Sequence, residues 1–244
     1  MSSEKRSAFT SSPLFRTLFS VFTGLLVGAI VLLASGYSPA KAYQVIFDGI
    51  FSKPSYVSYT IIYATPLIMT GLSVAFAFKT GLFNSGAEGQ FIMGALGAAL
   101  AGAFISLPPV IHALVAAATG IALAAAWGGL AGYLKARFGV NEVIATIMLN
   151  WTALYLNNYI VTLPGIKRPA ATATAFILDT ARIEFLPLWK ASEAGKLWRA
   201  GHPVWNDILR TPFNAGILAA LLLAFVCWWL LNRTTLGYEL RAVG

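Results

Sequence analysis

Asn84, Ser85, Glu88 and Gln90 crowd into the stretch Gly81-Leu82-Phe83-Asn84-Ser85-Gly86-Ala87-Glu88-Gly89-Gln90, directly before the apolar run Phe91 to Leu107. Their chemistry is hydrogen bonding and charge, from two amides, a hydroxyl and a carboxylate interleaved with glycines that let the backbone bend. Lipid penalises such groups. An acidic side chain at mid-bilayer costs about 2.5–3.5 kcal/mol on insertion scales, whereas each Leu, Ile, Phe or Val returns about 0.3–0.6 kcal/mol. Glu88 therefore belongs at a helix start or against a protein-lined cavity, and a broken helix is expected near residues 79–90.

A second polar set runs through another apolar segment. Thr146, Asn150 and Asn157 continue a line from Glu142 at helical spacing, so they share one helix face. Such a stripe either turns toward a bundle interior or a wet path, or hydrogen-bonds neighbouring helices. Trp151, beside Asn150, is able to stack on a flat ligand or simply to pack.

Bond-breaking chemistry finds little support. The histidines are His112 and His202, the cysteine is Cys227, and no second ligand stands at metal-site spacing from His112. An integral-membrane enzyme would need paired acids, a histidine cluster or a Ser/His/Asp set near a membrane face; with two histidines thirty positions or more from obvious partners it is the weaker reading, and neither metal nor cofactor is expected. One cysteine, inside an apolar segment, excludes a disulfide within the chain.

These groups need elements to hold them. With 244 residues, 58% hydrophobic and 11% charged, the composition is that of an all-α polytopic membrane protein. Charge-free gaps at 17–40, 54–78, 89–134, 143–166 and 211–232 are long enough to cross a bilayer, the third twice over with a turn at Leu107-Pro108-Pro109, which predicts six helices. Lys5, Arg6 and Arg16 precede the first span, which reads as an uncleaved helix rather than a signal peptide and places the N-terminus in the cytoplasm. Gly24 and Gly28 form a GxxxG face on it. A short amphipathic helix is expected within 36–56, and the second span carries Pro66 and Gly71.

Small residues at four-residue spacing, Gly94, Ala98 and Gly102 on the third span and Gly120, Ala124 and Gly128 on the fourth, invite close helix packing. Residues 164–210 read as an ordered external loop with short helices and with Trp189, Trp198 and Trp205 at the headgroups. The net charge of +8 comes from Lys and Arg in loops flanking the spans, without a basic stripe. Membrane lipid is therefore the expected partner rather than nucleic acid.

Three motifs carry a resemblance. Phe83-Asn84-Ser85-Gly86-Ala87-Glu88-Gly89-Gln90, Gly139-Val140-Asn141-Glu142-Val143-Ile144-Ala145-Thr146-Ile147-Met148-Leu149-Asn150 and Thr235-Leu236-Gly237-Tyr238-Glu239-Leu240-Arg241-Ala242-Val243-Gly244 together resemble the permease subunits of ABC importers. They are most similar to the nucleoside and simple-sugar branch, related to ribose and branched-chain amino acid permeases. The resemblance covers nearly the whole chain and implies a single transmembrane permease domain, 1–244. It also implies three partners: a second permease subunit, a separate ABC ATP-binding subunit and an extracytoplasmic solute-binding protein. Residues 233–244 would begin the cytoplasmic coupling loop, with Leu236, Gly237, Tyr238, Glu239, Leu240 and Arg241 docking on the ATPase. The family pattern continues with further helices, which implies a C-terminally truncated or split chain.

No Gly-x-x-x-x-Gly-Lys-Ser/Thr motif occurs, so the energy is expected from the partner. Asn84, Ser85, Glu88 and Gln90 are expected to line the solute path or lock its inner gate at the start of a half-helix, with Asn150, Trp151 and Asn157 on the opposite wall. Nucleosides are the expected solute and simple sugars the alternative. A non-transporting membrane scaffold is the competing reading from another class.

Overall fold

The computed structural model describes residues 13–171, 173–183, 187–212 and 214–243, and among these the regular elements are helices. Lys5 and Arg6 lie outside the described residues. The chain divides into two compact units, Met1–Val57 and Ser58–Gly244.

In the first unit, α1 (Pro13–Ala34) is followed by α2 (Pro39–Phe51), whose start is capped by the Ser38 side chain. This is the amphipathic helix expected within 36–56. The Tyr43 hydroxyl donates to the Leu25 carbonyl and lies 3.1 Å from where a Cβ on Gly28 would stand. Gly28 of the GxxxG pair thus leaves room for a tyrosine of the next helix, while nothing lies within 4 Å of such an atom on Gly24.

The second unit is built on α3 (Pro54–Lys79, mostly within it), α4 (Ala87–Phe104), α5 (Ile111–Phe138) and α6 (Glu142–Thr162). Pro66 sits inside α3, where the hydroxyls of Thr65 and Thr70 bond to carbonyls one turn back. The core gathers on α4: Met93 and Leu96 pack with the fully buried Ala153 of α6, flanked by Leu123 and Trp127 of α5. Close approach of α4 and α5 depends on missing side chains. A Cβ on Gly120 would stand 2.8 Å from the Gly94 carbonyl oxygen and 3.1 Å from the Ala98 Cβ, and one on Gly94 would stand 3.2 Å from Ala124. The two small-residue faces therefore interlock. Gly102 and Gly128 lie outside that seam, for Gly102 leaves room for Ile177 of the long loop and Gly128 for the Gln90 side chain.

Among the described residues, five helices are long and apolar enough to cross a membrane: Phe15–Ala34, Pro54–Lys79, Ala87–Phe104, Ile111–Phe138 and Gly216–Arg233. The 21-residue α6, counted as a sixth from sequence, has the length, about 31 Å at 1.5 Å per residue. Its threonines and asparagines lower its hydropathy and leave it outside that set. The molecule is an all-α multi-pass membrane protein.

The long loop is ordered where described, through a 3₁₀ turn (Asp179–Ala181) and the short helices α7 (Pro187–Ala191), α8 (Glu193–Gly201) and α9 (Pro203–Arg210). Trp198 packs edge-on against Trp189 and face-on against His202, and the Arg199 guanidinium donates to the Lys190 carbonyl at 2.8 Å. Then α10 (Gly216–Arg233) turns sharply into α11 (Thr235–Val243).

Glycine contacts separate two kinds of position on α5. Nothing lies within 4 Å of a Cβ on Gly129. Gly120→Ala is expected to be less stable than Gly129→Ala by about 1–3 kcal/mol, the usual cost of overpacking, as read by thermal unfolding in nanodiscs. Equal stability would mean that α4 and α5 do not meet at the glycines.

Candidate functional site

The stretch 80–86 is a non-helical link between α3 and α4. The half-helix expected after it is instead a helix of 18 residues, about 27 Å long. The reason is local: Gly81 takes a left-handed φ of +69°, and Asn84 folds its Oδ1 back to accept from the Gly86 N–H at 2.9 Å. That side-chain bond replaces a backbone partner and lets α4 start at Ala87.

Two side-chain networks hold the link. In the first, the Asn84 and Gln90 amides face each other, Nδ2 of Asn84 donating to Oε1 of Gln90 at 3.3 Å and Nε2 of Gln90 donating to Oδ1 of Asn84 at 3.3 Å. Ser73 of α3 joins them, accepting from Asn84 at 3.0 Å and donating to Gln90 at 3.4 Å. In the second, Asn150 reaches from α6 to two backbone groups. Its Nδ2 donates to the Ser85 carbonyl at 2.8 Å, and its Oδ1 accepts from the Gly89 N–H at 2.8 Å. A Cβ on Gly89 would lie 2.8 Å from that oxygen, and one on Gly86 would lie 3.0 Å from the Thr146 Cβ. Two glycines of the motif thus admit α6.

The Gly139–Glu142 motif builds the other junction. Gly139 closes α5 with φ +67°, its N–H bonded to the Lys135 carbonyl at 2.9 Å. Asn141 then caps α6 through its side chain, accepting from Val143 N–H at 2.9 Å. Glu142 meets Lys135 across the turn at 2.8 Å, and the ammonium beside it holds the Glu142 carboxyl below the usual carboxylate range. On the same side, Asn84, Gln90, Gly128, Lys135 and Glu142 border a cavity of about 210 Å³.

The expected lining residues therefore separate. Asn84 and Gln90 are engaged with each other. Asn150 uses both amide atoms on backbone groups of the link and of the first turn of α4, which is the neighbour-bonding alternative for the polar stripe. Trp151 and Tyr155 stack on one another on the exposed side of α6, away from Asn150. Asn157 is half-buried farther along that helix, and Ser85 takes part through its carbonyl. Glu88 is exposed in the first turn of α4, on the edge of an apolar groove of about 850 Å³ shared with Tyr63, Thr70, Phe78 and Phe91. Ser73 is the member that sequence reasoning missed; its place in an unremarkable span gave no signal.

The segment Leu236–Arg241 is helical, within α11, rather than a frayed tail; Gly244 lies outside the described residues. Thr234 caps it, accepting from the Gly237 N–H at 3.1 Å, and Arg241 donates to the Gly237 carbonyl at 3.2 Å. A Cβ on Gly237 would collide with the Leu230 carbonyl, so the turn from α10 needs glycine there. Leu236, Glu239 and Leu240 border a cavity of about 770 Å³ together with Phe76, Thr80, Gly81, Leu82 and Lys135. The link between α3 and α4 and the C-terminal segment thus meet at one end of the unit.

Asn150→Leu is expected to destabilise the fold by about 1–3 kcal/mol for each of the two backbone groups it strands. Asn157→Leu, at a half-buried position, serves as the control and is expected to change stability far less. Thermal unfolding that ranks the two variants equally would remove Asn150 as the strut.

Comparison with known proteins follows the same boundaries. Residues 56–244 match the family model described as branched-chain amino acid transport system / permease component. Among curated relatives, the guanosine ABC transporter permease protein NupP of Bacillus subtilis (strain 168) is 39% identical over 96% of this chain and 62% of its own length. The nucleoside ABC transporter permease protein NupB of Lactococcus lactis subsp. cremoris (strain MG1363) is 30% identical over 93% of this chain and 59% of its own. The glucose ABC transporter permease protein TsgB13 of Haloferax volcanii is 29% identical over 93% and 57%. The chain thus spans about three-fifths of the length of these relatives. No solved structure shows a significant match. With α4, α5, α6 and α10, both polar junctions and α11 all inside the matched region, the chain belongs to the family of branched-chain amino acid transport system permease components.

Proposed function

We propose that this chain contributes the solute path of an ATP-driven importer of nucleosides. The observation that carries the reading is its 39% identity to a guanosine permease across 96% of the chain. The polar junctions fall inside that likeness, and their architecture suits the role: a rigid, internally bonded break beside an exposed carboxylate, Glu88, on an aromatic-edged groove. Acceptor oxygens and flat apolar faces are what a nucleoside, with hydroxyls and a planar base, requires.

ATP hydrolysis belongs to a separate ATP-binding subunit in this reading, and the chain itself has no enzymatic step. That subunit docks on Leu236, Gly237, Tyr238, Glu239, Leu240 and Arg241, and the cavity these share with Thr80–Leu82 and Lys135 is where docking reaches the start of α4. The N-terminus and α11 then lie in the cytoplasm. Residues 164–210 face outward toward a solute-binding protein, and a second permease subunit completes the path. Asn84, Gln90 and Asn150 serve as the fixed frame of that path, while Ser85, Glu88, Trp151 and Asn157 are left to meet the solute. A simple-sugar importer is the second reading, favoured by the likeness to a glucose permease.

In the assembled transport system, Glu88→Gln is expected to lower uptake of radiolabelled guanosine at least about tenfold, the worth of one charge-assisted hydrogen bond, at unchanged membrane abundance. Normal uptake would remove Glu88 from the path. Uptake of glucose in place of nucleosides by the unaltered system would replace the first reading with the second. Tyr238, exposed on α11, is expected to act as an anchor. Tyr238→Ala should weaken co-purification of the ATP-binding subunit about tenfold or more, and undiminished recovery would exclude this face as the dock.

A further inference from the structure

His112 is the largest side chain among the described residues to be completely buried, and neither polar junction uses it. It stands in the first turn of α5, at the opposite end of α4 from the Asn84–Gln90 pair. Its Nε2 lies 3.2 Å from the carbonyl oxygen of Ala101 on α4, and its Nδ1 lies 2.7 Å from the hydroxyl of Thr180 in the 3₁₀ turn. A carbonyl only accepts, so Nε2–H donates to Ala101, and Nδ1 pairs with the Thr180 hydroxyl. One imidazole therefore joins the end of α4 and the start of α5 to a turn of the long loop 68 positions away.

The same piece of the long loop is seated twice more. The Leu178 N–H donates to the Gly102 carbonyl at 2.9 Å, and Ile177 packs where Gly102 has no side chain, 2.9 Å from the place a Cβ would occupy. Ala181 is buried beside them. Filling space would require only an apolar residue. Burying an imidazole is costly unless both nitrogens are satisfied, and here each is satisfied by a different segment.

We propose that His112 is a positioning residue that locks residues 177–181 onto the end of α4, so that displacement of the long loop is carried along α4 to the Asn84–Gln90–Asn150 network. The lock itself is a property of this chain. Its consequence for transport rests on the import reading, in which the long loop meets the solute-binding protein. A load on the loop then reaches α4 through His112 and the Gly102 carbonyl. The interlocked glycines of α4 and α5 keep the helix from bending under it.

The test uses the complete transport system in proteoliposomes, with Thr180→Val to delete the hydroxyl at nearly constant volume and Thr180→Ser to retain it. Two quantities are read: amide hydrogen exchange across 176–183, and ATP hydrolysis with and without the binding protein. Thr180→Val is expected to speed exchange at Leu178 and Ala181 about tenfold. It is also expected to lower stimulated hydrolysis about tenfold while leaving basal hydrolysis intact. Thr180→Ser should restore both, and His112→Ala should act in the same direction and more strongly.

Unchanged exchange in Thr180→Val would overturn the lock. Faster exchange with full stimulation would overturn its part in transport. Should His112→Ala fail to fold, the two Thr180 variants decide alone. Failure of the unaltered system to take up nucleosides would count against the solute assignment, while the exchange result still decides the lock.

Discussion

Peptide groups at the start of a helix lack partners within that helix, and in an apolar bundle water does not supply them. The link between α3 and α4 meets this constraint with side chains from its own motif and from α6. Asn84 closes the turn onto Gly86, and Asn150 bonds to the Ser85 carbonyl and the Gly89 N–H. Because Asn150 must reach the backbone of α4 to do so, α6 has to approach closely, and Gly86 and Gly89 are the positions where a side chain would prevent it. The glycines and the asparagine are thus one device, with the missing side chains making room for the amide that satisfies the exposed backbone.

The same logic places α4 at the centre. Of its apolar window 39% is buried, against none for α3, so α4 is the element on which α5 and α6 pack. Backbone-to-backbone approach at Gly94 and Gly120 brings α5 alongside, and Trp127 of α5 donates to the Leu149 carbonyl of α6 at 3.3 Å, closing the triangle. Lys135 and Glu142 tie α5 to α6 where the chain crosses between them. Each contact is short in sequence or helix-periodic on one side and unpredictable on the other, which is why three helices form a specific arrangement rather than a loose bundle.

What could be foreseen divides along that line. Span positions follow from runs without charge, and the small-residue seam follows from four-residue spacing, since both are local. The junction at 139–142 is built from local signals of the same kind, a glycine that closes one helix and an asparagine that caps the next. Asn150 and Trp151 show the limit. Adjacent residues on a helix point about 100° apart, so one stripe meets α4 while Ile144, Met148, Trp151 and Tyr155 are left exposed, and sequence alone does not say which stripe turns inward. His112 shows it more sharply, because its partners lie 11 and 68 positions away and neither Ala101 nor Thr180 advertises a hydrogen bond. Ser73 was silent for the same reason.

These contacts also decide which parts of the second unit are held and which are free. α4 and α6 are joined by two bonds from one amide, and α4 and α5 by interlocked backbone, so relative motion among the three would expose unsatisfied polar groups or open voids. α3 is joined to the link and α4 through Ser73, while on another face an apolar groove of about 850 Å³ runs along α3 from Tyr63 to Phe78 beside the first turns of α4. Breaking two neutral hydrogen bonds is a small penalty beside unseating a glycine seam. On these costs α4, α5 and α6 are bound to one another more tightly than Ser73 binds α3 to the link. The link residues Thr80, Gly81 and Leu82, which lie between Ser73 and Asn84 in the chain, border the same cavity as Leu236, Glu239 and Leu240, and Lys135 of α5 borders it too, so the C-terminal segment neighbours both the loosely held helix and the tightly held three.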